Sequence, residues 1–172
     1  MKITKDWDKL TRIANGDYVL YGDLICDEDL VVDLDDRLVV KGKVEVKKGI
    51  EVKLSINAGW GIKAGEGINA GDGINAGWGI NAGWGIKAGD GINAGEGIKA
   101  GEGINAGWGI KAGEGINAGE GIKAKLNIEC KKRIFAGISV YRTSENCDKK
   151  IECAKLVCGE VCFGDLIETE VQ

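Results

Sequence analysis

What chemistry the side chains of this 172-residue chain could do is bounded first by an absence, since it contains no His. Ser-His and Cys-His nucleophilic pairs drop out, and with them the commonest metal ligand. Carboxylates remain, and Glu66, Glu96, Glu102 and Glu120 each stand between two glycines of a six-residue word. A carboxylate becomes a general acid or base where a desolvated pocket shifts its pKa, and residues spaced this evenly on a Gly-rich surface offer no such pocket. No enzymatic activity and no cofactor are expected.

The six cysteines admit little more. Five of them (Cys130, Cys147, Cys153, Cys158 and Cys162) fall in the last quarter of the chain, without the CxxC pairs that mark a zinc site. Cys130 occupies the inward Ala phase and Cys153, in IEC, looks similar, so packing is their expected role. With no signal-peptide pattern at the start, reduced thiols are expected rather than a disulfide framework.

Trp60, Trp78, Trp84 and Trp108 occupy the slot in Gly-x-Gly where sister words carry Glu66, Asp72, Asp90 or Glu96. A fold that accepts a carboxylate there does not need an indole. Trp is the residue most enriched among binding hot spots, so the expected protein-binding set is Trp60, Trp78, Trp84 and Trp108 with Asp72, Asp90, Glu66 and Glu96. The bland alternative is that each indole folds over the neighbouring coil and shields glycine backbone; the sequence leaves both open. Calcium would need Asp at the same slot in coil after coil, and only Asp72 and Asp90 qualify. Ice binding would need Thr ladders, and the repeat has no Thr.

The elements that position these residues follow from a sixfold phase. Each word from Ile56 to Lys125 puts Ile first and Ala third, on one face of a short strand, with Asn or Lys between them on the other. Gly-x-Gly then turns the chain, the glycines being expected to supply positive φ. A single word cannot bury its Ile, but stacked words can, which predicts an all-β, single-chain β-solenoid.

The phase carries back to Val32 and Leu34 and forward to Ile134 and Ala136. The expected organisation is an N-terminal cap at 1–31, a solenoid at 32–136 with regular repeats at 56–125, and a C-terminal cap or oligomerisation segment at 137–172. Three sides of six residues are favoured over two, giving six coils. Residues 56–79, 80–103 and 104–127 read as three copies of a 24-residue unit, each opening INAGWGIKAG. In a three-sided coil, Trp60 and Trp78 share one corner, and Trp84 and Trp108 take the other two.

Net charge is −4, too slight to argue for a nucleic-acid or membrane surface, but it is uneven. Residues 1–36 carry ten Asp/Glu against four Lys/Arg, and residues 37–55 six Lys/Arg against two Glu. No apolar run reaches the 18 or so residues of a membrane helix. A cytoplasmic protein without a membrane partner is expected, and direct nucleic-acid binding is not.

The corner AGEGI and the sixfold phase resemble the hexapeptide-repeat left-handed β-helices, although Ala and Ile exchange the places those families give to large and small residues. That family's acyltransferases use a His, so the activity does not carry over. The GxIxAxxxxI wording is also similar to bactofilins, three-sided β-helical proteins that polymerise. The AGWGIKAG repeats and the tail KKRIFAGISVYRTSENCDKKIECAKLVCGEVCFGDLIE together resemble uncharacterised bacteriophage and prophage β-solenoid proteins. This resemblance implies a phage setting in a bacterial host and no mechanism; a host protein is the expected partner. The expected function is a non-enzymatic binding protein that presents a rigid surface, an inhibitor of bacterial defence of anti-CRISPR or anti-restriction type. The alternative is a self-assembling structural protein of bactofilin-like type, with a homo-oligomer formed through the C-terminal segment.

Overall fold

Alternation of buried Ile and Ala with an outward polar residue makes every word a three-residue strand, and no single word has a partner within reach except in the next coil. The computed structural model describes residues 1–137 and 148–169, and among them the chain is all-β. The strands are β1 (Lys2–Thr4), β2 (Thr11–Arg12), β3 (Tyr18–Leu20), β4 (Leu24–Cys26) and β5 (Leu30–Asp33). Then come fifteen three-residue strands, β6 to β20, from Leu38–Val40 to Ile122–Ala124, and finally β21 (Asn127–Ala136), β22 (Lys150–Cys153), β23 (Lys155–Phe163) and β24 (Asp165–Glu168).

Pairing is parallel and in register at eighteen residues, as in Ile56↔Ile74↔Ile92 and Ala58↔Ala76↔Ala94. Three six-residue sides therefore make one coil, and about eight coils stack. Side one runs from β3 through β6 and β9 to the first half of β21, side two from β4 through β7 and β10 to its second half, and side three from β5 through β8 and β11 to β20, β22 and β24. Every Ile of the repeat is 0–1% exposed. Burying one such side chain contributes about 1.5–3 kcal/mol.

The coils run further in both directions than the sixfold phase predicts. Tyr18, Leu24 and Leu30 already pair with Leu38, Val44 and Ile50, but at twenty residues instead of eighteen. Two extra residues after Val32 break the phase, so Leu30 and Val32, not Val32 and Leu34, form the inward strand pair, and Leu34 is buried beyond the strand. The N-terminal closure is thus shorter than 1–31: β1 adds to β5, β2 folds back antiparallel on β3, and Trp7 and Leu10 pack against the core. At the other end, β22 continues side three on β20, β23 covers β21, and β24 lies on β22. The described part of 137–172 therefore extends the coils and is not a separate cap. Residues 138–147, with Cys147, lie outside the described residues.

The uneven charge has a structural cause. The acidic run forms the first coil and the basic run the second, laid directly upon it. Lys47 meets Asp27 at 2.8 Å, Lys53 meets Asp33 at 3.5 Å, and Lys48 pairs with Glu28. These pairs are exposed to solvent, which screens them, so each adds little to stability. Beside them, Lys2 holds the Asp33 carboxyl below its ordinary pKa, the Tyr18 hydroxyl donates to Asp35 at 2.5 Å and lowers Asp35 likewise, and Lys43 with Lys63 lowers Glu45. Groups with depressed folded pKa values stabilise above their unfolded pKa and lose that contribution as pH falls through the folded one. A melting temperature that declines as pH drops below about 4 is expected, with a smaller decline in Asp33→Asn/Asp35→Asn/Glu45→Gln. An identical acid profile in the triple variant would refute the assignment.

Candidate functional site

The corner is where the fold leaves a residue free, and backbone proximity explains why. In the regular words the fourth-position N–H donates to the third-position carbonyl one coil below, as Gly77 to Ala58 at 3.0 Å, and the next residue donates to its own counterpart, as Trp78 to Trp60 at 3.3 Å. Hydrogen bonding thus passes around the corner without a break. A Cβ on the fourth-position glycines from Gly59 to Gly113 would come within 1.7–2.3 Å of a carbonyl oxygen in the coil below. None of these glycines has positive φ, and the five that do (Gly16, Gly22, Gly137, Gly159 and Gly164) lie outside the regular words. The expected left-handed corner is corrected: glycine is required there by close approach, not by torsion. Lys takes the equivalent position at Lys41, Lys47 and Lys53, where the coil beneath is spaced at twenty residues instead of eighteen, and at Lys125 and Lys131, beside and within β21, where a continuous strand replaces the corner.

The eighteen-residue coil sorts the slot residues into three columns. The corner between sides one and two carries Trp60, Trp78, Glu96 and Glu114; that between sides two and three carries Glu66, Trp84, Glu102 and Glu120; the third carries Asp72, Asp90 and Trp108. Trp60 and Trp78 stack face to face, with centroids 5.3 Å apart and planes 6° from parallel. Trp60, Trp78, Trp84 and Trp108 are 50–60% exposed. Glu96 is exposed as well, while Glu66, Asp72 and Asp90 are half-buried. The eight residues singled out in sequence therefore do not form one cluster. They divide among three edges of a prism.

Two of the corner columns, each with the outward row of the side that follows, enclose a shallow groove. On side two, a groove of about 1160 Å³ runs along Trp60, Trp78, Lys63, Asn81 and Lys99 to Phe135. Two of its acids are paired within the chain: Glu45 with Lys43 at 2.7 Å and with Lys63 at 3.5 Å, and Glu114 with Lys132 at 2.7 Å. On side three, a groove of about 770 Å³ follows Glu66, Trp84, Lys87 and Glu102. Side one shows a row of Asn57, Asn75 and Asn93, in which each amide nitrogen donates to the carbonyl oxygen below at 2.8 and 2.9 Å. The sequence alone does not single out that ladder, because Asn also fills outward positions on the other two sides.

Cys26, Cys130 and Cys153 are buried, Cys158 and Cys162 are exposed, and all five are free thiols. Burial pushes the thiol pKa of Cys130 and Cys153 up, as packing residues require. Among the described residues no group of three or more Cys, Asp or Glu is placed to hold a metal ion, and no helix is long and apolar enough to cross a membrane. Compared with protein-family models, with curated protein sequences and with solved structures, the chain has no match in any of the three.

Proposed function

We propose that the chain is a non-enzymatic binding module that presents its corner tryptophans, on a rigid β-prism, to a partner protein. The observation that carries this reading is the half-exposure of four indoles at a slot where the same backbone holds carboxylates at equal register. Folding alone gives no reason to place Trp there, because the slot residue contributes its backbone N–H and C=O whatever its side chain. The surface is preformed by ladders on all sides, so little conformational entropy is lost on binding. The resemblance of repeats and tail to bacteriophage proteins supports a bacterial host protein as the partner, and with it an inhibitory role against host defence.

The test is capture of a partner from bacterial lysate by the wild-type protein and by Trp78→Glu/Trp84→Glu. The double variant is expected to lose capture while its stability stays within about 1.5 kcal/mol, the cost of one lost aromatic stack plus surface changes. Unfolding of the variant would make the indoles structural, and undiminished capture would place the interface elsewhere.

A further inference from the structure

The corner leaves one backbone donor unused. The first-position N–H of a word donates to the sixth-position carbonyl of the coil above, and the fourth- and fifth-position N–H groups donate to the coil below. The sixth-position N–H has no backbone acceptor. Where the corners begin, a side chain from the coil below takes its place. The Asp23 carboxylate accepts from Lys43 N–H at 3.0 Å, the Asp29 carboxylate from Gly49 N–H at 3.0 Å, and the Ser55 hydroxyl oxygen from Gly73 N–H at 3.2 Å. Each of these acceptors is itself a sixth-position residue. In the regular words that residue is Gly, which has no side chain to accept with. The Gly79 N–H, one coil above Gly61, therefore has no acceptor among the described residues.

Carboxylates gather at the same place elsewhere in the chain. Glu66 and Glu102, at the slot, set Oε2 at 3.8 and 3.9 Å from where a Cβ on Gly49 and Gly85 would lie, each one coil below. Over Gly61 the slot residue is Trp78, so the chain supplies no carboxylate there. Outside the chain neighbours of Gly61, the Gly79 carbonyl oxygen at 3.1 Å is all that comes within 4 Å of its missing Cβ. The stacked Trp60 and Trp78 stand on one side of this place, and Lys63 and Asn81 line the same groove. Lys63 meets Glu45 at 3.5 Å, while Lys43 holds Glu45 more closely at 2.7 Å. Glu96, at the slot above Trp78, does not come within 4 Å of the Cβ position of Gly61 or of Gly79.

We infer that the place over Gly61 receives one Asp or Glu side chain of the partner protein, whose carboxylate accepts from the Gly79 N–H and from the Lys63 ammonium while its neighbours lie against Trp60 and Trp78. The inference rests on the binding-module reading and names the chemistry of the partner. What selects a carboxylate is the chain's own usage, since Asp23 and Asp29 fill the equivalent place two columns over and one coil down, and hydrogen bonds to an ionised acceptor are the strong ones. One acid is seated and not a row of them: residues on one face of an extended segment are about 6.8 Å apart, whereas the coils repeat at about 4.8 Å.

The experiment uses labelled hexaglutamate with both ends blocked as probe, followed by fluorescence anisotropy at about 50 mM salt, where screening is weak. Gly61→Ser sets a hydroxyl beneath Gly79 as Ser55 does beneath Gly73, and should weaken binding about fivefold or more, as should Lys63→Gln. Gly91→Ser and Lys87→Gln, on the other two sides, should change it less than about twofold. In the wild-type protein the Gly79 amide proton should move downfield as hexaglutamate is added, read by amide NMR. Circular dichroism and melting temperature verify folding, and if Gly61→Ser does not fold, the comparison of Lys63→Gln with Lys87→Gln decides. Equal binding of hexaglutamine, equal loss in the two Lys variants, undiminished affinity in folded Gly61→Ser, or no binding at about 1 mM peptide would each overturn the site. The two readings fail separately. If lysate capture is lost in Trp78→Glu/Trp84→Glu but hexaglutamate does not bind, the binding module stands and the acidic partner is refuted.

Discussion

Gly89→Ala is expected to destabilise the protein by about 3 kcal/mol, whereas Gly91→Ala, two residues away in the same corner, should change stability by less than about 1 kcal/mol. Both glycines flank Asp90, and neither has positive φ. The difference lies in the direction of the missing Cβ. On Gly89 it would point along the prism axis and meet the Gly71 carbonyl oxygen at 1.8 Å, an overlap relieved only by parting the two coils. On Gly91 its nearest neighbour would be the Gly109 oxygen at 3.4 Å, an ordinary contact. Ala also restricts the unfolded chain more than Gly does, which offsets part of any small strain at Gly91. Urea unfolding of the two variants decides the matter, and equal midpoints would show that corner glycines serve torsion after all.

Ile80→Ala should cost about 3–4 kcal/mol, and Ile151→Ala, at a site buried equally deeply, clearly less. Ile80 is 1% exposed with Ile62 and Ile98 in register on either side, each as rigidly stacked as itself. A cavity there has no way to collapse. Ile151 is 0% exposed, but its outer neighbour in register is Leu166, 42% exposed on the terminal strand β24. Leu166 can settle into the vacated space, and terminal coils of a solenoid are stabilised from one side only. Equal losses at the two sites would mean that the last coil is packed as firmly as the middle ones.

Much of this architecture was legible because Ile and Ala recur at fixed phase, which settles strand, face and stacking together, and because six-residue sides make a compact triangular core. The start of the coils was hidden by two residues after Val32, enough to put Leu34 in phase with the repeat although Leu30 is the residue that pairs. The far end was hidden by the interval between Ala136 and Lys150, which conceals that Ile151 and Cys153 resume side three. Exposure of the tryptophans followed from their alternation with carboxylates. The unequal grooves did not, since neighbouring words in sequence lie on different sides, and only the three-fold wrap collects Glu66, Glu102 and Glu120 along one edge. Glycine was correctly placed at corners for an incorrect reason: sequence reports the residue type, while the obstructing atom belongs to a coil eighteen residues away.

The 24-residue copy and the 18-residue coil differ in length, and their difference is one side. Each duplication therefore advances the pattern by a third of a turn, so the equivalent Trp60, Trp84 and Trp108 of the three copies emerge on three different edges. Three copies fill four coils and restore the starting orientation. Lengthening by whole copies thus behaves like a screw: the interior is reproduced unchanged while the exterior is re-dealt, and a binding edge can be added, rotated or lost without any alteration to the core.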